Sequence, residues 1–224
     1  MKKAITLLVL FCIAAFAQQK GTFTDTRDGK TYKTAKIGEQ VWMAENLNYE
    51  AKGSECYSRE LAYCVKYGRL YNWAMAMALP SNCNNTSCSK QIETKHQGIC
   101  PSGWHIPSNA EWDKLIRYVD GDKGTESLYE SETAGKYLKA TSGWDDYKGK
   151  SCNGEDTYGF SALPGGNGGP KGYFFTVGNY SNWWSSSEGS KYNAYYRAIR
   201  HEDESISYED VYKLGLFSVR CLQD

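Results

Sequence analysis

Two periods of apolar and polar positions divide this chain into predictable pieces. Residues 23–27, 31–37 and 40–43 alternate at period two, and Asp28-Gly29 and Gly38-Glu39 punctuate them. Successive strand side chains point to opposite faces, and Asp-Gly between alternating residues marks a tight hairpin turn, so three strands joined by turns are expected here. Over residues 68–78, Leu70, Trp73, Ala74 and Met77 recur at helical spacing, which predicts a helix buried on one face. The next helix carries stronger signals. Ser108 stands as N-cap, Glu111 follows as its capping-box partner, and Trp112, Leu115, Ile116 and Val119 form an i, i+3, i+4, i+7 stripe that must face the core. A weaker helix is expected over residues 131–140, with Ala134, Tyr137 and Leu138 on one side. After Gly143 short aromatic and β-branched segments broken by Gly, Asn and Ser read as strands. Helices early and strands late predict an α+β fold rather than a regular βαβ alternation.

The amino terminus changes where this domain is expected to work. Lys2 and Lys3 precede an apolar run over residues 4–15 and the small-x-small site Ala15-Phe16-Ala17, the pattern of a secretory signal peptide cleaved after Ala17. Cys12 follows the bulky Phe11, so it reads as an apolar residue of the discarded segment rather than a lipid-attachment site. No second run reaches the roughly 18 apolar residues of a transmembrane helix. Residues 18–224 then form a single domain without a low-complexity linker or internal repeat. Without residues 1–17, 24 basic residues face 26 acidic ones, a near balance that argues against nucleic acid or an anionic membrane as partner. The 18 Tyr, 7 Trp and 22 Gly fit short strands, tight turns and large aromatic surfaces.

Seven cysteines remain beyond the leader: Cys56, Cys64, Cys83, Cys88, Cys100, Cys152 and Cys221. In an exported protein they read as disulfides, although spacing does not fix connectivity. Cys56 with Cys64 and Cys83 with Cys88 are near enough to close small loops. Cys100 with Cys221 would close a long one, worth about 4–5 kcal/mol against about 2–3 for the short ones. Cys152 is left over, as a free thiol, an intermolecular partner, or a competitor for one of these positions. Structural zinc fits poorly, because close Cys-x2-Cys pairs are missing and His96, His105 and His201 are scattered.

Seven blocks occur in order: Asp28-Gly29-Lys30-Thr31-Tyr32, Trp42-Met43-Ala44-Glu45-Asn46-Leu47-Asn48-Tyr49, Tyr67-Gly68-Arg69-Leu70-Tyr71-Asn72-Trp73, Cys100-Pro101-Ser102-Gly103-Trp104-His105-Ile106-Pro107-Ser108, Tyr158-Gly159-Phe160-Ser161-Ala162-Leu163-Pro164-Gly165-Gly166, Trp183-Trp184-Ser185-Ser186-Ser187-Glu188 and Phe217-Ser218-Val219-Arg220-Cys221. Together they closely resemble the Fibrobacter succinogenes major paralogous domain, a family of secreted or surface bacterial proteins. The resemblance runs from about Thr24 to Asp224. It implies a distant C-type lectin-like fold of two or three helices and irregular antiparallel sheets, stapled by disulfides. It also implies that Cys100 and Cys221 tie a helical region to the last strand. The calcium-dependent sugar binders of that superfamily use a Glu-Pro-Asn type loop followed by Trp-Asn-Asp. Here the nearest analogue is Trp183-Trp184-Ser185-Ser186, which lacks those oxygen ligands.

Chemistry-bearing constellations are sparse. Ser185, Ser186 and Ser187 have no glycine elbow, and His105 reads as a hydrogen-bonded structural histidine. The glycine run over residues 165–169 lacks the following Lys-Ser/Thr of a phosphate loop and reads as a turn. No cofactor is expected, with calcium the one candidate: Asp145, Asp146, Glu155 and Asp156 cluster around Cys152 and could supply oxygen ligands, or simply form a solvated acidic loop. Trp144, Tyr173, Tyr180, Trp183 and Trp184 are the candidate ligand-binding residues, flat rings suited to sugar faces. Trp183 and Trp184 are adjacent in a strand, which leaves one for the core and one for a surface. The expected function is a secreted or cell-surface, non-catalytic module for adhesion or polysaccharide binding, with polysaccharide or cell-surface components as partners. The alternatives are an envelope protein without a small ligand and an enzyme resembling formylglycine-generating oxidases. The latter needs a close redox-active cysteine pair near the end of the chain, where only Cys221 lies.

Overall fold

The alternation over residues 31–37 becomes a strand that buries Tyr32, Thr34, Ala35 and Ile37 and turns Lys33 and Lys36 outward. The computed structural model describes residues 19–122, 124 and 128–224, and the expected leader over residues 1–17 lies outside them. Among the described residues the strands are β1 (Lys20–Thr24), β2 (Thr31–Ile37), β3 (Gln40–Met43), β4 (Trp104–His105), β5 (Asn167–Gly168), β6 (Phe174–Phe175), β7 (Tyr180–Glu188), β8 (Asn193–Arg200), β9 (Ser207–Tyr212) and β10 (Leu222–Gln223). The α-helices are α1 (Leu61–Tyr67), α2 (Trp73–Ala76), α3 (Asn109–Asp120) and α4 (Ala134–Leu138). One antiparallel sheet has the order β1-β2-β3-β10-β4, a second β7-β8-β9, and β5 pairs with β6. The fold is thus α+β with few helices and antiparallel sheets.

Three disulfides join Cys56 to Cys64, Cys83 to Cys88 and Cys100 to Cys221. The last brings the lead-in to β4 against the entry of β10, and both strands pair side by side. Cys152 remains a free, half-buried thiol whose Sγ lies 3.5 Å from the Lys150 carbonyl.

Several predicted elements differ in extent. The strand expected over residues 23–27 is instead β1, ending at Thr24, because the buried Asp25 carboxylate captures Arg27 through its backbone N at 3.0 Å and its guanidinium Nη2 at 2.7 Å. The helix expected over residues 68–78 shrinks to α2. Leu70 pairs its backbone with Glu55 and Tyr71 with Phe217, so those residues are extended, and the Asn72 side chain caps the helix by accepting from Met75 N at 3.0 Å. The helix expected over residues 131–140 is α4, because Ser131 pairs with Ile206 and its hydroxyl accepts from Ala134 N at 2.8 Å. Helix α3 follows its sequence signals, with both halves of the Ser108–Glu111 capping box present and Trp112, Leu115, Ile116 and Val119 buried.

Two apolar clusters fill the interior. One contains Met43, Tyr71, Trp73, Trp104, Trp184, Phe217 and the Cys100–Cys221 sulfurs. The other contains Trp42, Trp112, Leu115, Phe160, Trp183, Ile199 and Leu222. Trp42 and Met43 on β3 send adjacent side chains to different clusters, and so do Trp183 and Trp184 on β7. Both faces of β7 are therefore interior, and both tryptophans are fully buried. This corrects the expectation that one of them serves a surface.

His105 is buried between Asp224 Oδ1, 2.7 Å from Nδ1, and Glu111 Oε1, 2.9 Å from Nε2. Burial pulls the imidazole pKa down, but hydrogen bonds and charge from Glu111 and Asp224 outweigh it and hold the group above its ordinary 6.5. A raised folded-state pKa gives stability that is fully present below 6.5 and is lost as pH rises through the folded value. Thermal unfolding at about pH 5.5 and about pH 8.5 is expected to show a greater loss of stability in the wild type than in His105→Gln. Equal pH slopes in the two proteins would contradict this role.

Candidate functional site

Five of the seven sequence blocks converge on one cavity, although they lie far apart along the chain. Lys30, Thr31 and Tyr32 come from the first block, Ala44, Glu45, Asn46 and Asn48 from the second, Tyr67 and Gly68 from the third, Ser161 and Leu163 from the fifth, and Arg220 from the seventh. The cavity has a volume of about 320 Å³, and Cys64, Val65, Lys66 and Tyr67 of α1 form one wall. The Cys56–Cys64 disulfide anchors that wall through Cys64. Gly68 ends α1 at φ +79°, where a Cβ would sit 2.8 Å from Asn46 Cβ and 2.9 Å from the Leu47 carbonyl oxygen. Only glycine lets the helix end approach the 44–48 segment this closely.

Asn46 organises the floor. Its Oδ1 accepts from Trp183 Nε1 at 2.8 Å and from Arg220 Nη2 at 2.8 Å and Nε at 3.1 Å. Its Nδ2 donates to the Tyr67 carbonyl at 2.8 Å and to Ser218 Oγ at 3.2 Å. Arg220 Nη1 donates to the Phe160 carbonyl, and the guanidinium lies 4.3 Å from the Phe160 ring centroid and 5.2 Å from that of Trp183. The Arg220 residue is 1% exposed. Burial brings its pKa down to about 9, against the opposing pull of Asp156 and Glu45, so the side chain stays charged at neutral pH.

From the buried Tyr67 at the cavity a row of half-buried rings leads away. Tyr67 stacks with Tyr63 at 6.0 Å between centroids, Tyr63 meets Tyr57 at 5.1 Å, and Tyr57 meets Phe174 at 5.3 Å. Next to Phe174 in the chain, Tyr173 and Phe175 are 64% and 50% exposed. Leu61 and Val65 add exposed apolar surface on α1.

The aromatic candidates from the sequence therefore separate. Tyr173 is exposed next to this row, and Tyr180 is half-buried at the start of β7 under the Arg200 guanidinium, 5.7 Å from its ring. Trp144 is buried with its Nε1 donating to the Ala162 carbonyl at 2.9 Å, and Trp183 and Trp184 are core residues, so these three offer no binding surface. The acidic candidates are not brought together. Asp156 accepts from Ser161 N at 2.7 Å and Oγ at 2.6 Å, Glu155 pairs with Lys136 at 3.2 Å, Asp145 lies against Gly178, and Asp146 is exposed. Among the described residues no group of three or more His, Cys, Asp or Glu side chains could hold a metal ion.

Sequence reasoning missed the cavity, Asn46 and Arg220. The signal available was their membership in the blocks themselves, polar residues recurring within otherwise aromatic patterns.

An α+β domain stapled by three disulfides, with aromatic blocks converging on one cleft, defines the class. The model of the Fibrobacter succinogenes major domain matches residues 35–223, and the chain belongs to this family. Comparison with curated proteins and with solved structures gives no significant match.

Proposed function

We propose that the protein is an exported, non-catalytic module that binds polysaccharide along the cleft beside α1 and the row of rings next to Tyr173. The observation that carries this reading is the aromatic neighbourhood of the cavity: Tyr67, Tyr63, Tyr57 and Phe174 are in successive ring contact beside a cavity of about 320 Å³, and the chain neighbours of Phe174, Tyr173 and Phe175, expose their rings. That volume falls within the range of about 300–1,000 Å³ usual for small-ligand sites. Aromatic faces pack on the apolar faces of sugar rings while neighbouring polar groups meet the hydroxyls. Export is supported by the amino-terminal pattern and by three disulfides, which persist in oxidising compartments. Among the described residues no helix is long and apolar enough to cross a membrane. A C-type lectin-like architecture is part of the reading. It is supported by few helices, antiparallel sheets, and a disulfide tying the segment before α3 to the entry of β10. Cys221 is committed to Cys100 rather than to a neighbouring redox cysteine.

The test is retention on insoluble polysaccharides. The wild type is expected to be retained, and Tyr173→Ala with Phe175→Ala to weaken retention about tenfold, equivalent to about 1.4 kcal/mol. Both side chains are exposed, so the double variant should fold normally. Absence of retention on every polymer, or unchanged retention by the double variant, would overturn the reading. Trp183 and Trp184 are unsuitable for this purpose, since their truncation tests folding instead.

A further inference from the structure

The charge around the cavity is unbalanced in a specific way. Its lining carries four cationic side chains, Lys30, Lys33, Lys66 and Arg220, and a single carboxylate, Glu45. Lys30 is engaged by Asp28 at 2.8 Å and by the Asn48 carbonyl at 2.7 Å. Glu45 Oε2 accepts from the Lys33 backbone N at 2.7 Å rather than from any of the side-chain cations. The Lys33 and Lys66 side chains form no ion pair among the described residues, and both residues are exposed at the mouth.

Arg220 is the more telling group. A guanidinium offers five N–H donors, and here three reach protein acceptors, all of them neutral: Asn46 Oδ1 twice and the Phe160 carbonyl once. Other buried cations mostly meet carboxylates, although Lys139 donates only to backbone carbonyls, that of Asp203 at 2.7 Å, and lies 4.8 Å from the Trp144 ring. Arg197 pairs with Asp113, Lys213 with Glu188 at 2.5 Å, and Arg69 with Glu50 at 3.0 Å. Among the described residues Arg220 has no carboxylate at ion-pair distance, Asp156 and Glu45 acting on it only from further off, and a buried charge so placed is costly. Arg220 instead stands beneath a cavity ringed by further positive charge. Among the other lining residues Ala44, Val65, Tyr67, Ala140 and Leu163 are apolar or aromatic, and Thr31, Asn46, Asn48 and Ser161 are polar and uncharged. A buried guanidinium charge at the floor, with Lys33 and Lys66 exposed above it and apolar and hydroxyl or amide groups on the sides, suits a sugar ring that bears one acidic group. The near-neutral whole-chain charge, 26 basic against 26 acidic residues, argues against a generally polyanionic partner spread over the surface.

We infer that this cavity binds the acidic group of an anionic sugar, a carboxylate or sulfate ester seated toward Arg220, with Lys33 and Lys66 closing over it. The inference rests on the polysaccharide reading for the kind of molecule that carries the acid, and deepens it by naming the charge. Glycans with uronic acid or sulfated units are the ligand class. The exposed Lys33 and Lys66 contribute the direct contact and a salt-dependent affinity, and the buried Arg220 contributes positive charge from the floor.

The experiment is calorimetric titration of the whole protein at fixed ionic strength with glucuronate, galacturonate, a sulfated monosaccharide, glucose and inorganic sulfate. Retention on insoluble neutral and acidic polysaccharides is measured in parallel. Saturable binding of an acidic sugar, absent with glucose and weaker with inorganic sulfate, is expected. The carboxylate and sulfate arms distinguish the two acid types. Lys33→Glu with Lys66→Glu should weaken acidic-sugar binding at least about tenfold, and both positions are exposed, so folding should be kept. Arg220→Met should abolish binding, with circular dichroism as the control for folding. If Arg220→Met fails to fold, the lysine pair still decides. Retention on neutral polymers without any acidic-sugar binding would overturn this inference and leave the polysaccharide reading standing. Acidic-sugar binding without retention on any polymer would do the reverse. Full affinity in the lysine double variant, or equal affinity for inorganic sulfate and acidic sugar, would also overturn it.

Discussion

Replacing Cys100 and Cys221 together by alanine is expected to lower the free energy of unfolding by about 4–5 kcal/mol, since the bridge closes a loop spanning 121 positions. Chain entropy is one part of that loss. Both cysteines are fully buried in the cluster that also holds Trp73, Trp104, Trp184 and Phe217, so truncation leaves unfilled space as well. Topology explains why the tie matters. Strand β10 lies between β3 and β4, closing the first sheet with a partner from the far end of the chain. Within the enclosed stretch lie α3, α4 and the whole β7-β8-β9 sheet. Removing the Cys56–Cys64 bridge, which spans 8 positions, is expected to cost only about 2–3 kcal/mol. Denaturant unfolding under non-reducing conditions measures both. A loss below about 1 kcal/mol for the long bridge would show that packing alone holds β10 in place.

Asn46→Ala is expected to destabilise the protein by about 3–5 kcal/mol, a large effect for a single loop residue. The alanine would remove the acceptor for Trp183 Nε1 and for two Arg220 donors, and the donor to the Tyr67 carbonyl and Ser218 Oγ. One of the stranded groups is a buried cation. Asn46→Asp should be milder, because a carboxylate gives Arg220 a counterion while sacrificing the two amide donations. Tryptophan fluorescence during denaturant unfolding follows both variants, with Trp183 reporting from beside the substitution. A cost for Asn46→Ala below about 1 kcal/mol, or a greater cost for Asn46→Asp, would contradict the role of Asn46 as the acceptor that holds Arg220 in place.

Helix α3 and strands β2 and β3 were legible because each depends on near neighbours, the two short disulfides because their cysteines lie close in the chain, and Cys100–Cys221 through the family resemblance rather than through spacing. Ser108 and Glu111 announce a helix start wherever they stand. The burial of both Trp183 and Trp184 was not legible, because a strand with a core on each face loses the alternation that separates inside from outside. Helix α1 escaped detection for the opposite reason: Leu61 and Val65 expose apolar side chains, so the stripe that marks a packed helix is blurred. The 68–78 segment misled because Leu70 and Tyr71 are extended by pairing with Glu55 and Phe217, partners that local periodicity cannot reveal. The cavity lay furthest from view. Its floor joins Asn46 to Arg220 across 174 positions, and its mouth joins β2 to α1, so it exists only once the first sheet has closed.

The ligand site can be observed directly through two side-chain N–H groups that share one acceptor. Arg220 Nε and Trp183 Nε1 both donate to Asn46 Oδ1, so heteronuclear NMR of these resonances reports on the cavity floor. During titration with an acidic oligosaccharide, saturable shifts are expected at Arg220 Nε–H, at Trp183 Nε1–H and at the amides of Lys66 and Tyr67. Trp73 Nε1–H, bonded to the Ser185 carbonyl in the other cluster, should stay still. Saturable shifts confined to other surfaces, with Arg220 and Trp183 unmoved, would contradict the assignment of this cavity as the place where the protein meets its ligand.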